Sequence, residues 1–564
     1  MRRTLFVAVL MALILIGGWA TGTSEERAAA ESSVGPGPFG AYDPPIDVSF
    51  VGTLSDMLQK QTLQRGMTFE ENMWTEAYLE RLGVRISYDW IAKSPDEYTQ
   101  KLNVSLASGS IPDILLVSQN AQLKRLYESE QIHPIGDAYE KYVWGELVED
   151  VISKGGDGAF LSSTFDGELY ALPQVFSIPG EDSSSSFIWI RKDWLEALSL
   201  DAPATMDELI QVANAFTKDD PNGSGRNDTY GIALHRGLWG SAGGLEGFMN
   251  GFHAYPNIWI EQSDGTLVYG STRPEVREAL SAASDLYKSG VIDREFGVRP
   301  ADKLPEELAT GRAGILFGAQ WMSLWPLGDS VQADPDADWI PLLLVSTDDD
   351  IARPQAANSV SSWYAVNADF AYPEIVVKMA NLFHQLVKYE FDQYSIIPDD
   401  ETWTVWQLSP VVLSKPGKNQ RIQQIIDAVY STGNTSLLAE AAPELEGELR
   451  SMYTNVSSYL DEGNRTNWAW YRIFGPGEPG EISQAGNRYY LANELFVVDR
   501  FSGASTDTMM SKWASLQSLQ DEVFIKIIIG DVPISAFDKF VEDWKNLGGA
   551  EITAEVNDWY ASVQ

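Results

Sequence analysis

The sequence contains no cysteine. That absence removes disulfides, thiolate nucleophiles, iron–sulfur clusters and cysteine-ligated zinc together. Histidine is scarce. His133, His235, His253 and His384 are the only four, and none is spaced from another as metal ligands are. They read as surface or core residues. Positive charge is short as well: 40 Lys and Arg face 80 Asp and Glu, a net charge of −40. Such a chain repels nucleic-acid phosphates and anionic lipid. After Ile16 no apolar run is long enough to cross a bilayer. Common hydrolase signatures are missing too, with no G-x-S-x-G, no H-E-x-x-H and no complete G-x-G-x-x-G.

What is there begins at the N-terminus. Two arginines, an apolar run over Leu5–Ile16 and small residues at Gly18 and Ala20 have the layout of a secretory signal cleaved after Ala20. Residues 1–20 are therefore expected to be removed on export. Trp19 stands where a bacterial lipoprotein would carry its cysteine, so no lipid anchor is expected. Residues 21–45 are small, polar and rich in Pro and Gly, and read as a disordered leader. The whole chain has 564 residues, too many for one small core.

From Ile46 the pattern is that of an α/β protein. "IDVSFVG" alternates as a strand does, "ENMWTEAYLERLGV" is helical up to Gly83, and "RISYDWI" is a second strand. "SPDEYTQKLNVSLASGS" opens on a capping signal and ends at Gly109, and "IPDILLVS" is a short, wholly apolar strand. This β-α-β-α-β order predicts a doubly wound sheet with ligand at the carboxyl ends of its strands, where Gln119 lies. "FDGELYALPQV" reads as a hairpin turn and a strand, "TMDELIQVANAFTKDD" as a helix capped by Thr205, and the end of the chain as mostly helical.

Four stretches carry a family resemblance. They are "LASGSIPDILLV", "DGELYALP", "WIRKDWLEALSLDAPATMDELIQVANAFTKDDPNGSGRNDTYG" and "FIKIIIGDVPISAFDKFVEDWKNLGGAEITAEVNDWY". In this order they resemble the extracellular solute-binding proteins of bacterial ABC importers, in particular the large oligosaccharide-binding branch. The resemblance implies a two-lobed, type II-like fold with a ligand cleft between hinged lobes. It places the N-lobe at 46–172 and 337–398, and the C-lobe at 173–336 and 399–564. It implies a monomer that is no enzyme, takes up an oligosaccharide and delivers it to ABC permease subunits. Without a lipid anchor, a periplasmic location follows.

"DPNGSGRNDTYG" can be aligned with a calcium loop. Asp220, Asn222, Ser224 and Asp228 fall at alternate positions, Gly225 at the sharp turn, and Arg226 offers its backbone carbonyl while its charge points away. Gly231 stands where the late glutamate would be and Thr229 where the family often has an acid, so a weak, structural Ca²⁺ site is expected. Its affinity would be on the order of 10⁻⁵–10⁻³ M. An Asx/Gly turn without metal is the alternative.

Nineteen tryptophans suit a carbohydrate, whose apolar faces stack on indoles while its edges take hydrogen bonds. By position, Trp239, Trp321, Trp363 and Trp468 are the candidate platforms, the last in a loop. Gln119, Gln174, Gln320 and Arg472 are the candidate polar contacts. A secreted glycoside hydrolase or lyase needs only two carboxylates, and a calcium-dependent lectin would share the loop, so both remain alternatives.

Overall fold

Order begins earlier than Ile46. The computed structural model describes residues 32–54, 58–59, 62–63, 65–155, 158–175, 186–395 and 405–564. The expected signal segment, residues 1–20, and residues 21–31 lie outside them. Ser33–Val34 and Tyr42–Asp43 pair as a small antiparallel ladder. This corrects the reading of 21–45 as wholly disordered. The segment is pinned by Lys378, whose Nζ donates to the carbonyls of Gly35, Gly37 and Gly40 at 3.3, 3.0 and 2.9 Å. A composition poor in apolar residues cannot show that a distant lysine will hold its carbonyls.

The next elements follow their signals. Strand β1 (Ile46–Thr53) runs parallel to β2 (Val84–Ala92). Between them α1 (Met73–Leu82) starts at Asn72, whose side chain accepts from the Trp74 and Thr75 amides. It stops at Gly83, which takes the left-handed conformation at φ 66°. Losing such an N-cap costs about 1 kcal/mol. Helix α2 (Pro95–Ser108) is capped by Ser94 and stopped by Gly109 in the same way. It leads to β3 (Ile114–Val117) and α3 (Asn120–Glu128). After the Thr164–Phe165/Glu168–Leu169 hairpin comes β4 (Ala171–Val175).

A second sheet follows. It contains β5 (Phe187–Arg191), β6 (Tyr230–Ile232), β7 (Ala313–Gly318) and β8 (Trp339–Leu342), in the order β6-β7-β5-β8. Helix α4 (Met206–Lys218) precedes β6. The chain then returns to the first lobe as β9 (Val360–Val366), which inserts antiparallel between β3 and β4. The doubly wound expectation therefore holds for β1 and β2 but not for β3, whose ladder partner is a strand from much later in the chain. Ser49 and Asp113 tie β1 to the start of β3 by reciprocal bonds of 2.8 and 3.0 Å.

Two large cores mark the lobes. One gathers Trp74, Tyr78, Leu172 and Tyr364 with α5 (Ile375–Tyr389) and Val405–Leu413. The other gathers Trp194, Phe216 and Phe317 with α10 (Asp507–Ile529) and the C-terminal helices. Before α10 come α6 (Lys418–Thr432), α7 (Glu446–Glu462), α8 (Trp468–Phe474) and α9 (Ser483–Ala492). These cores move the lobe boundaries. β4 ends the first stretch of the N-lobe at Val175, not 172. β8 belongs to the C-lobe, so the N-lobe resumes at β9 rather than at 337. Residues 405–413 pack in the N-lobe core, not the C-lobe. Each crossing strand looks equally apolar in sequence, and only pairing assigns it to a sheet.

Candidate functional site

Strand direction fixes where the lobes face each other. The chain leaves the N-lobe at Val175 and enters the C-lobe at Phe187, so these strand ends lie at the junction. β7 is antiparallel to β5 with Gly318 opposite Phe187, and β8 ends at Leu342 opposite Ile188. Their carboxyl ends therefore face the junction as well. In the N-lobe, Val360 pairs with Val175 and Trp363 with Val117, which brings the end of β3 and residues 118–120 to the same place.

Several sequence candidates fall there. Gln119 is exposed at the start of α3, and its side chain makes no capping bond. Gln320 and Trp321 follow directly on β7, but Gln320 is buried, 5% exposed. Trp321 and Trp325 are half-buried and stack on each other, ring centroids 6.3 Å apart and 29° between planes. Both pack against the buried cluster around Trp189 and Trp339 and keep part of their surface accessible. Ala242 bridges to Gly318, so the glycine-rich loop 238–246 lines the same end. In it the Gly240 amide donates to Glu246 at 2.7 Å, and burial pushes that carboxyl up to about 7.

Other candidates are held in the protein itself. Trp363 is 4% exposed and its indole N–H donates to Ser162 Oγ at 3.0 Å. The Gln174 amide donates to Tyr364 Oη and the Val412 carbonyl, both at 2.9 Å, and accepts from Ser362 Oγ. Trp239 packs beside the C-lobe core and donates to Asp521 at 2.6 Å. Trp468 and Arg472 are corrected more strongly. The stretch expected to be a loop is helix α8, because no breaker interrupts it before Gly475. Trp468 is 1% exposed. Both side chains turn to Asp338, at 3.3 and 2.5 Å, just before β8 at the end of the sheet away from the junction. None of these four indoles and guanidiniums was distinguishable by residue type.

The 220–228 loop lies elsewhere. β6 runs parallel to β7, so its amino end, where the loop enters, is opposite the junction. The loop winds with left-handed φ at Asp220, Gly223 and Gly225 (50°, 63° and 71°). Ser224 Oγ lies 3.3 Å from Asp220 Oδ1 and 2.9 Å from Asp228 Oδ1, and the Asn222 amide is 3.2 Å from Asp228. Hydrogen bonds from Ser224 and Asn222 hold the Asp228 carboxyl below its usual range. Ser224 Oγ thus brings the two carboxylates together, while the Asn222 carbonyl oxygen accepts from the Ser224 amide at 3.1 Å. Arg226 departs from expectation: its guanidinium sits 3.5 Å from Asp228 rather than pointing away. In a loop of converging carboxylates it supplies the nearest counter-charge. Thr229 turns inward and donates to the Phe216 carbonyl at 2.8 Å.

The histidines are structural contacts, with His384 3.0 Å from Asp150 and His253 3.0 Å from Asp348. Among the described residues no three His, Cys, Asp or Glu side chains cluster as a metal site, and no helix is long and apolar enough to cross a membrane.

Comparison with known proteins agrees with this architecture. The polygalacturonan/rhamnogalacturonan-binding protein YtcQ of Bacillus subtilis (strain 168) is 24% identical over 577 aligned positions, covering 100% of this chain and 99% of that protein. A structure of the S. pneumoniae ABC-transporter substrate-binding protein FusA, an EF-hand mutant with fructo-nystose, superposes with a TM-score of 0.63 at 15% identity, covering 92% of this chain and 99% of that one. Alginate-binding protein AlgQ2, solved without calcium ion, gives 0.60 at 15% identity, with 92% and 98% covered. These likenesses show the two-lobed fold. The sequence profile of the bacterial extracellular solute-binding proteins matches residues 60–383, more than half of the chain. With lobes that meet at strand ends and a family of binding proteins rather than enzymes behind it, the chain belongs to the bacterial extracellular solute-binding proteins.

Proposed function

We propose that this protein captures an oligosaccharide between its lobes, as a periplasmic monomer, and passes it to the permease subunits of an ABC importer. The observation that carries this reading is the Trp321–Trp325 shelf, half-open at the junction end of β7. Stacked indoles with an open face suit the apolar side of a sugar ring, and the exposed Gln119 across the junction suits its edge. Relatives named for polygalacturonan and fructooligosaccharide binding support the ligand class. Closure follows from the two-sided site, since a ligand gains contacts to both lobes only when they shut. Titration with neutral and acidic oligosaccharides, read by calorimetry and tryptophan fluorescence, tests it. A ligand with micromolar or tighter affinity should also reduce the radius of gyration. Failure of every oligosaccharide to bind would remove the reading.

The same proposal assigns structural Ca²⁺ to Asp220, Asn222, Ser224, the Arg226 carbonyl and Asp228. The approach of the Asp220 and Asp228 carboxylates to the one Ser224 hydroxyl supports it, and the comparison structures described as an EF-hand mutant and as lacking calcium ion are consistent with it. A cation that binds only the folded loop raises the melting temperature. Chelator should lower Tm, Ca²⁺ should restore it better than Mg²⁺, and Asp220→Ala should abolish the response. Sugar affinity should change little, because the loop is at the far end of β6. An unchanged Tm in chelator would leave the loop as a turn.

A further inference from the structure

One loop of the C-lobe, residues 502–506, reaches across to the N-lobe. Both of its ends are fixed in the C-lobe. On one side Asp499 accepts from the Trp259 amide, and Phe501 packs on Trp259 and Trp559 with ring centroids 6.4 and 4.9 Å away. On the other, Thr506 caps α10 by accepting from the Met509 amide, and Thr508 Oγ1 donates to Glu555 of the C-terminal helix at 2.7 Å. Between these anchors the loop meets α3. Ala504 packs against the N-lobe cluster of Leu115, Val117, Leu123 and Trp363. The Ser505 amide donates to Asn120 Oδ1, and the Asn120 amide in turn donates to the Ser162 carbonyl at 2.8 Å. Lys124 Nζ donates to the Ser505 carbonyl at 3.0 Å and to Asp507 Oδ1 at 2.5 Å. Arg125 donates to the Met510 carbonyl at 3.1 Å.

Two features distinguish this contact from incidental packing. The first is charge. A cation is unfavourable at a helix N-terminus, where the peptide dipoles present their positive end. Lys124 stands at the start of α10 all the same, with 15% of its side chain exposed, because a carbonyl and a carboxylate of the other lobe both accept from it. The second is place. Asn358 donates to the Phe501 carbonyl at 2.7 Å. It lies between Gln355, bonded to Asn250 of the C-lobe, and Val360, paired with Val175 of the N-lobe. The loop therefore starts beside a lobe crossing. From there its contacts move outward along α3, where residues 120 and 125 are about 7–8 Å apart on the helix axis. Rotation about the crossing acts on Lys124 and Arg125 more than on Asn358.

We propose that α3 and the 502–506 loop form an interlobe clasp that holds the lobe arrangement described here and gives way when the lobes move, so that its strength sets ligand affinity without touching the ligand. The proposal rests on the lobe-closure reading above. A ligand shifts a two-state equilibrium only by its differential affinity, and a contact present in one arrangement alone adds to or subtracts from that difference. Weakening the clasp and locking it must therefore move affinity in opposite directions. Damage to the sugar site has no such signature.

Lys124→Met breaks the clasp while keeping the helix and its apolar stem. Asn120→Cys with Ser505→Cys locks it: one hydrogen bond already joins the two residues, and the chain has no other cysteine. The reduced double variant is the reference for the oxidised one, so only the lock differs. Small-angle scattering without sugar should give different radii of gyration for Lys124→Met and the oxidised double variant. Calorimetry with the tightest-binding oligosaccharide should show Lys124→Met about 3- to 10-fold away from the wild type, as expected for one partly exposed charge-assisted contact. Oxidation of the double variant should shift affinity the opposite way, and reductant should reverse it. Melting curves confirm that the variants fold. Identical scattering profiles, affinity shifts of the same sign, or unchanged affinity in both overturn the clasp. Failure of the cysteines to oxidise also overturns it, because the loop is then not held on α3. If no oligosaccharide binds, the capture reading falls, and scattering alone still decides the clasp.

Discussion

The two faces of the junction use the same residue types differently. On the N-lobe side, Trp363 is enclosed with its N–H on Ser162, and Gln174 is saturated by Tyr364, Val412 and Ser362. On the C-lobe side, Trp321 and Trp325 stack on each other with surface remaining. A bonded indole stabilises the fold; an open one is available to a ligand. The N-lobe face thus offers exposed Gln119 beside side chains that are already bonded, and the C-lobe face offers the partly open aromatic pair.

Substituting one tryptophan from each class should separate stability from binding. Trp468→Ala and Trp363→Ala remove fully enclosed rings and should each cost about 3–5 kcal/mol of stability. Melting temperature should fall sharply in both, and any ligand bound by the folded fraction should keep its affinity. Trp321→Ala leaves no closed cavity. It should change Tm little and weaken oligosaccharide binding by at least about 10-fold, the order expected for a lost stacking contact of 1–2 kcal/mol. If Trp363→Ala folds with unchanged Tm but loses ligand, the division between wall and reading face is wrong.

Local chemistry was legible in the sequence, and partnership was not. Ser94 and Thr205 cap helices where the pattern places them, and Gly83 and Gly109 end them, because a cap acts within a few residues. The same locality made the alternating Asp220, Asn222, Ser224 and Asp228 readable as a converging loop. Arg472 and Asp338 are 134 residues apart, and no local pattern announces such a pair. The two-lobed fold was legible through its ordered motifs, yet β8 and residues 405–413 were assigned to the wrong lobe, since both lobes draw on equally apolar segments.

A smaller effect tests the connections behind the contrast. Asp499 follows the strand pair of Gln355–Ala356 with Val497–Val498, beside the C-lobe core residue Trp259. One of its oxygens accepts from the Trp259 and Phe501 amides, each at 3.0 Å, and burial pushes its carboxyl up to about 7. In the unfolded chain an aspartate titrates near ~3.9. Between those values the folded state holds a proton that the unfolded state has released, so this group's contribution falls as pH rises from about 4 to about 7. Above that window the charged form sits in the fold at a cost. Asp499→Asn keeps the acceptor oxygen and removes the ionisation. Across pH 5 to 8 the wild-type Tm should therefore decline more steeply than that of the variant, and at pH 8 the variant should be at least as stable. The difference between the two curves is what counts, because the other acids of a chain with net charge −40 depress stability with rising pH in both proteins. Parallel curves would mean that Asp499 is hydrated enough to ionise normally, and that its surroundings are more open than its hydrogen bonds imply.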